Sequence, residues 1–137
     1  MSAPPAAVWK VVENVERWPH WTPSMQRVEW IDAASMAIGS QARVHQPKLA
    51  PATWRVTALE PGTSFTWESS APGVTSVGEH EVSASASGSG SVLTLRFRQR
   101  GALAGVVGAL YGRRIRRYLA QEAEGFGRAA EAAGPQS

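Results

Sequence analysis

From Met25 to Gln99 the side chains alternate in character with a period of two, and from Leu103 onward apolar positions recur with the period of a helix. The change of period constrains the fold more than any other feature. In the first stretch Val28, Trp30 and Asp32 alternate with Arg27, Glu29 and Ile31, and Trp54, Val56 and Ala58 alternate with Arg55, Thr57 and Leu59. Phe65 and Trp67 repeat the pattern. Reversals are marked by Gly39-Ser40, Pro61-Gly62, Pro72-Gly73 and Ser87-Gly88-Ser89-Gly90, residues that supply left-handed or fixed backbone angles. Connections this short join antiparallel strands, because a parallel pair needs a crossover of a dozen or more residues. Six strands are expected, near 25–32, 41–46, 52–60, 64–70, 74–84 and 91–99.

In the second stretch Leu103, Val107, Leu110, Tyr111, Ile115, Leu119 and Phe126 fall on one stripe of a helix reaching about Ala132, roughly 45 Å long at 1.5 Å per residue. One amphipathic helix after six strands has to cover the sheet, so the class is α+β, a curved antiparallel sheet wrapped around a long C-terminal helix. A bent sheet and a straight helix cannot close-pack along their whole contact. An internal cavity is therefore expected. Pro4 and Pro5 ahead of Ala6-Ala7-Val8-Trp9 open a short first helix, since proline suits a first turn whose N–H groups lack partners. Trp18-Pro19-His20-Trp21-Thr22-Pro23 cannot continue it, and both tryptophans should tuck inward. At 137 residues the chain reads as one domain over 1–133 with a flexible tail at 134–137.

The order of these pieces resembles the START-like superfamily, also called SRPBCC, which includes polyketide cyclases, dehydrases and lipid-transfer proteins. The resemblance is carried by Ala3-Pro4-Pro5-Ala6-Ala7-Val8-Trp9, Val15-Glu16-Arg17-Trp18-Pro19-His20-Trp21, Trp54-Arg55-Val56, Pro61-Gly62-Thr63-Ser64-Phe65-Thr66-Trp67, Gly78-Glu79-His80 and Leu119-Ala120-Gln121-Glu122. It implies a helix-grip fold that binds or transports a small hydrophobic ligand, whether lipid, isoprenoid or polyketide-like, in an internal cavity. It also implies an alternative, a polyketide cyclase or dehydratase in which a pocket histidine moves a proton. The superfamily usually places a strand before the Ala-Pro-Pro opening, and only Met1-Ser2-Ala3 stand there. A sheet truncated in this way would expose an edge and favour a homodimer.

Trp30, Trp54, Phe65 and Trp67 are the candidate pocket walls, because flat rings suit such ligands. His80 is the candidate acid or base. The register that points Trp67 inward places His80, Ser76, Gly78 and Val82 on the same face. Tyr111 is a candidate ligand-binding hydroxyl, and Glu122, seven residues beyond Ile115, is either a partner for His80 or an inward arginine, or a surface carboxylate. Gly101, Gly105, Gly108 and Gly112 recur along one helical stripe at a cost of about 1 kcal/mol each in a helix interior, which calls for a close approach or for ligand space. His20 and His45 carry no assigned role.

Other chemistries find little footing. Cysteine is absent, which removes disulfides and thiolate metal sites. His20, His45 and His80 share no ligand spacing with Asp or Glu, so no metal and no cofactor is expected. A GxxxxGK loop and a nucleophile elbow are both missing. No stretch approaches a membrane span, and the protein is expected to be cytoplasmic. The charge is lopsided: no acidic residue lies between Glu81 and Glu122, whereas Arg96, Arg98, Arg100, Arg113, Arg114, Arg116 and Arg117 all do. The last four are either a solvated helix face or a transient contact with an anionic membrane. Without interleaved exposed aromatics they do not suggest nucleic acid.

Overall fold

A computed structural model describes residues 2–31, 35–88 and 90–132. Asp32 and the tail expected at 134–137 lie outside the described residues. The first helix, α1 (Pro5–Glu13), starts where the Pro4 carbonyl accepts the N–H groups of Ala7 at 3.0 Å and Val8 at 3.2 Å. Its buried face is Ala7, Val8, Trp9, Val11 and Val12. A 3-10 segment, Val15–His20, follows and contains Pro19. It turns Trp18 into the centre of the molecule, where the indole Nε1 donates to the Val12 carbonyl at 3.2 Å.

Six strands form one antiparallel sheet in sequence order: β1 (Arg27–Ile31), β2 (Gln41–His45), β3 (Ala52–Glu60), β4 (Ser64–Ala71), β5 (Val74–Ala84) and β6 (Ser91–Arg100). The sheet is open and curved, as a helix-grip fold requires. The expected alternation in β3 fails at one point. Val56 pairs with Trp67 while Ala58 pairs with Thr66, so Thr57 is an extra residue and a bulge. Beyond it the parity inverts: Ala58 is exposed and Leu59 packs on the core. A bulge also sharpens local twist, which helps the sheet to bend. Ser2–Pro4 form no strand; they dock instead, with the Ser2 N–H donating to Glu131 at 3.1 Å and the Ala3 carbonyl accepting from Ser91 Oγ. No described strand pairs with the outer edge of β6.

The long helix α2 (Ala104–Ala132) crosses the sheet, and only its C-terminal half is packed. Tyr118, Glu122, Gly125, Phe126, Gly127 and Ala130 are buried, all at or beyond the midpoint. Leu103 and Leu110 were expected on the buried stripe but are exposed, Leu110 to 71%. The reason is that α1 and the 3-10 segment fill the space between helix and sheet at one end, through Val8, Val12, Val15 and Trp18. At the other end nothing replaces them.

The glycine stripe is likewise resolved. A Cβ at Gly105 or Gly108 would meet nothing within 4 Å, and one at Gly112 only the end of Arg116. Of the stripe only Gly101, which precedes the helix, approaches backbone closely: its φ is +114° and a Cβ would lie 2.5 Å from the Gly73 carbonyl oxygen. Within the helix the close approach is at Gly125, where a Cβ would lie 2.1 Å from the Trp21 carbonyl oxygen. The helix backbone there rests directly on the Trp18–Trp21 segment. Gly125→Ala is therefore expected to destabilise by about 1–3 kcal/mol, the cost of overpacking. Gly108→Ala, with open space around it, should instead stabilise by up to about 1 kcal/mol. Urea denaturation of the two variants checks both signs.

Candidate ligand-binding site

Beneath the unpacked half of α2 lies a cavity of about 580 Å³, within the range usual for small-molecule pockets. Its rim is formed by the β2–β3 loop at Lys48 and Ala50 and by Tyr111, all exposed. The Tyr118 hydroxyl, donating to the Pro47 carbonyl, ties that loop to the middle of the helix. The blind end is walled by Trp18, Trp67, His80 and Glu122, all buried.

Four of the six residues expected at the site line this cavity: Trp54, Trp67, His80 and Tyr111. Trp54 and Trp67 meet with ring centroids 5.5 Å apart, and Gly78 opposite Trp67 leaves the indole its room. Phe65 does not reach the cavity. It stacks on the far side of His80, centroids 4.1 Å apart and planes 4° from parallel, and belongs to the core. Trp30 also stands apart from the cavity, half-buried on the edge strand β1, its backbone N–H held by Glu16 at 3.1 Å. Both have the parity of inward residues; what removes them is distance along the sheet, which periodicity does not encode.

Trp18 and Glu122 are the residues whose place in the wall sequence reasoning left open. Trp18 packs at 5.2 Å from Trp67, 5.5 Å from His80 and 4.9 Å from Phe126, centroid to centroid. Its inward tuck was legible in the proline-broken helix, but not what it would meet. Glu122 is 5% exposed, so it is not a surface carboxylate, and it forms no ion pair among the described residues. Its Oε1 accepts from Ser24 Oγ at 3.3 Å, and Ser24 is linked to Thr22 Oγ1 at 2.9 Å. The signal that finds it is its place on the helical stripe with Ile115 and Tyr118.

Burial decides the charge at this end. Desolvation lowers the His80 pKa from 6.5 to about 3, only partly opposed by the Phe65 backbone, and raises that of Glu122 from 4.5 to about 8 against the Ser24 hydrogen bond. At neutral pH both groups are uncharged. His80 Nδ1 is buried without a hydrogen-bond partner. Among the described residues no group of His, Asp and Glu is gathered as a metal would need.

The fold has counterparts in known proteins. Residues 1–131 match the family described as polyketide cyclase/dehydrase and lipid transport. The chain belongs to that family. Among solved structures it is similar to the di-domain aromatase/cyclase StfQ from the steffimycin biosynthetic pathway, with a TM-score of 0.68 and 14% identity over 96% of this chain. The match spans 47% of StfQ, about half its length. The Zhui aromatase/cyclase from Streptomyces sp. R1128 gives 0.68 and 21% over 98% of this chain and 93% of its own. Protein MLL2253 from Mesorhizobium loti gives 0.62 and 16% over 96% and 92%. At these identities the likeness establishes the helix-grip fold shared with family members. No curated protein matches the chain.

The two shifted groups oppose each other in their effect on stability. For His80 the unfolded chain takes up a proton below about 6.5 while the folded one stays neutral down to about 3, so stability falls as pH drops through that window. For Glu122 the unfolded chain ionises above about 4.5 while the folded one keeps its proton to about 8, so stability falls as pH rises. Between about 4.5 and 6.5 the two slopes cancel. Glu122→Gln should flatten the limb between pH 6.5 and 8, and His80→Gln the limb below 4.5, in denaturation midpoints measured across pH.

Proposed function

We propose that the protein binds a small, flat, largely apolar and uncharged molecule, of lipid, isoprenoid or polyketide-like kind, with a carbonyl or hydroxyl group directed at His80 and Glu122. The observation that carries this reading is the blind end of the cavity: tryptophan walls around two neutral polar side chains, His80 and Glu122. A carboxylate ligand directed the same way would bring its charge to an end whose walls, Trp18, Trp67, His80 and Glu122, hold no cation; Arg43, Lys48 and Arg96 line the cavity elsewhere.

Trp54 and Trp67 supply the readout, because their fluorescence responds to a ligand against them. Farnesol and 1-naphthol are expected to quench it and to raise the melting temperature, and dodecanoate to bind at least about tenfold more weakly than dodecanol, a difference near 1.4 kcal/mol. Equal affinity for the acid and the alcohol, or no response to any of the four, would overturn the reading.

The same end favours a second reading, an aromatase/cyclase or dehydratase. His80 is a reluctant proton acceptor, since its imidazolium is unstable below the surface, whereas Glu122 retains a proton that it can donate at neutral pH. Catalysis on an enolised poly-β-ketone would thus use Glu122 to protonate the acceptor carbonyl, the O–H of the attacking enol returning a proton to the Glu122 carboxylate, with the neutral His80 beside it in the wall. Product formation that His80→Ala and Glu122→Gln both abolish, with ligand quenching retained, would establish it. A poly-β-ketone that cyclises no faster with the protein than without it would remove it.

A further inference from the structure

Leu103, Val106, Leu110, Arg113 and Arg117 follow one another at spacings of 3, 4, 3 and 4, which places them on a single face of α2. In the structure Leu103, just ahead of the helix, rests on Gly73 of the β4–β5 turn, and the rest of that face is exposed. Leu103 is 48% exposed, Val106 55% and Leu110 71%, and Arg113 and Arg117 are exposed beyond them. We propose that this face docks on an anionic lipid surface, with the leucines and valine entering the interface and the arginines meeting the headgroups.

Three observations bear on the occupant. The first is charge. Arg113, Arg116 and Arg117 meet no carboxylate among the described residues, and two acidic side chains of the sheet, Glu68 and Glu79, are paired with Arg100 and Arg98. Lys48 adds a further exposed cation on the opposite rim of the cavity. The second is the order of the residues. An apolar turn followed by a basic turn on one face suits a boundary between hydrocarbon and anionic headgroups. A second copy suits it poorly: an antiparallel pair of such faces sets arginine against leucine, and a parallel pair sets arginine against arginine. The third is position. Val107 and Tyr111, one step around the helix, line the cavity, so a docked helix holds the cavity mouth at the lipid surface. A hydrophobic ligand then passes between bilayer and pocket without crossing water.

The face lies outside the ligand cavity and is tested on unliganded protein, so its failure is separate from that of the binding reading. The experiment is co-sedimentation of the whole chain with vesicles of phosphatidylcholine alone and with one-third phosphatidylglycerol. Binding is expected to the anionic vesicles, to weaken at high salt as exposed charges are screened, and to be slight on the neutral ones. Arg113→Gln and Arg117→Gln should each weaken it about fivefold, the equivalent of about 1 kcal/mol per basic residue near the surface. Leu110→Ser should weaken it about tenfold through lost apolar burial. All three positions are exposed, and an unchanged helical circular-dichroism signal certifies that the fold is intact. Equal binding to neutral and anionic vesicles, or anionic binding that survives Leu110→Ser, would overturn the proposal. So would a dimer in sedimentation velocity that Leu110→Ser dissolves, which makes the face a self-contact, or retention on polyglutamate without any vesicle binding, which assigns it to an acidic polypeptide.

Discussion

Everything in this fold turns on Trp18. Its indole is fully buried and lies against Phe65, Trp67, His80 and Phe126, which come from β4, β5 and α2. Aromatic side chains bury large areas, and edge or tilted pairs add about 0.5–1.5 kcal/mol each. One residue of a 3-10 segment thereby joins the sheet to the helix. The indole N–H is satisfied within the same chain segment by the Val12 carbonyl, so the ring enters the core without a desolvation cost.

The same wedge explains the hollow. With α1 and Trp18 inserted at one end, α2 is held against the sheet only beyond Tyr118, and its first half spans a gap. The gap is wet and open at Lys48 and Tyr111 and dry at His80 and Glu122. That gradient does the chemistry: burial leaves a histidine and a glutamate neutral in one wall, a pairing that in water would ionise on at least one side. The exposed outer face of the same half-helix is a second consequence, since a segment that does not reach the sheet leaves its own apolar side chains uncovered.

Much of the architecture was readable from spacing. Period-two alternation, turn residues and a late helical stripe place six strands and one long helix within a few residues of their positions, because those signals are local. The exceptions are informative. Thr57 inserts a bulge that swaps Ala58 for Leu59 in the core, and nothing in the residues of β3 marks it, since the extra residue is defined only against β4. Phe65 and Trp30 have the parity of pocket residues, yet one lies behind His80 and the other at the sheet edge. Gly125 carries no local signal of its close approach, while the conspicuous glycines at 105 and 108 touch nothing.

By itself, then, the sequence determined the elements, their order, the direction each side chain takes from its strand, and the inward course of His80, because these follow from backbone periods of 2 and 3.6 residues. Only the tertiary structure decided where helix and sheet part company, which aromatic rings face the gap rather than one another, and that Glu122 is a buried, neutral carboxyl held by Ser24. Those are properties of distances between segments far apart in the chain. Desolvation, and with it the protonation of a side chain, is set by what such segments exclude.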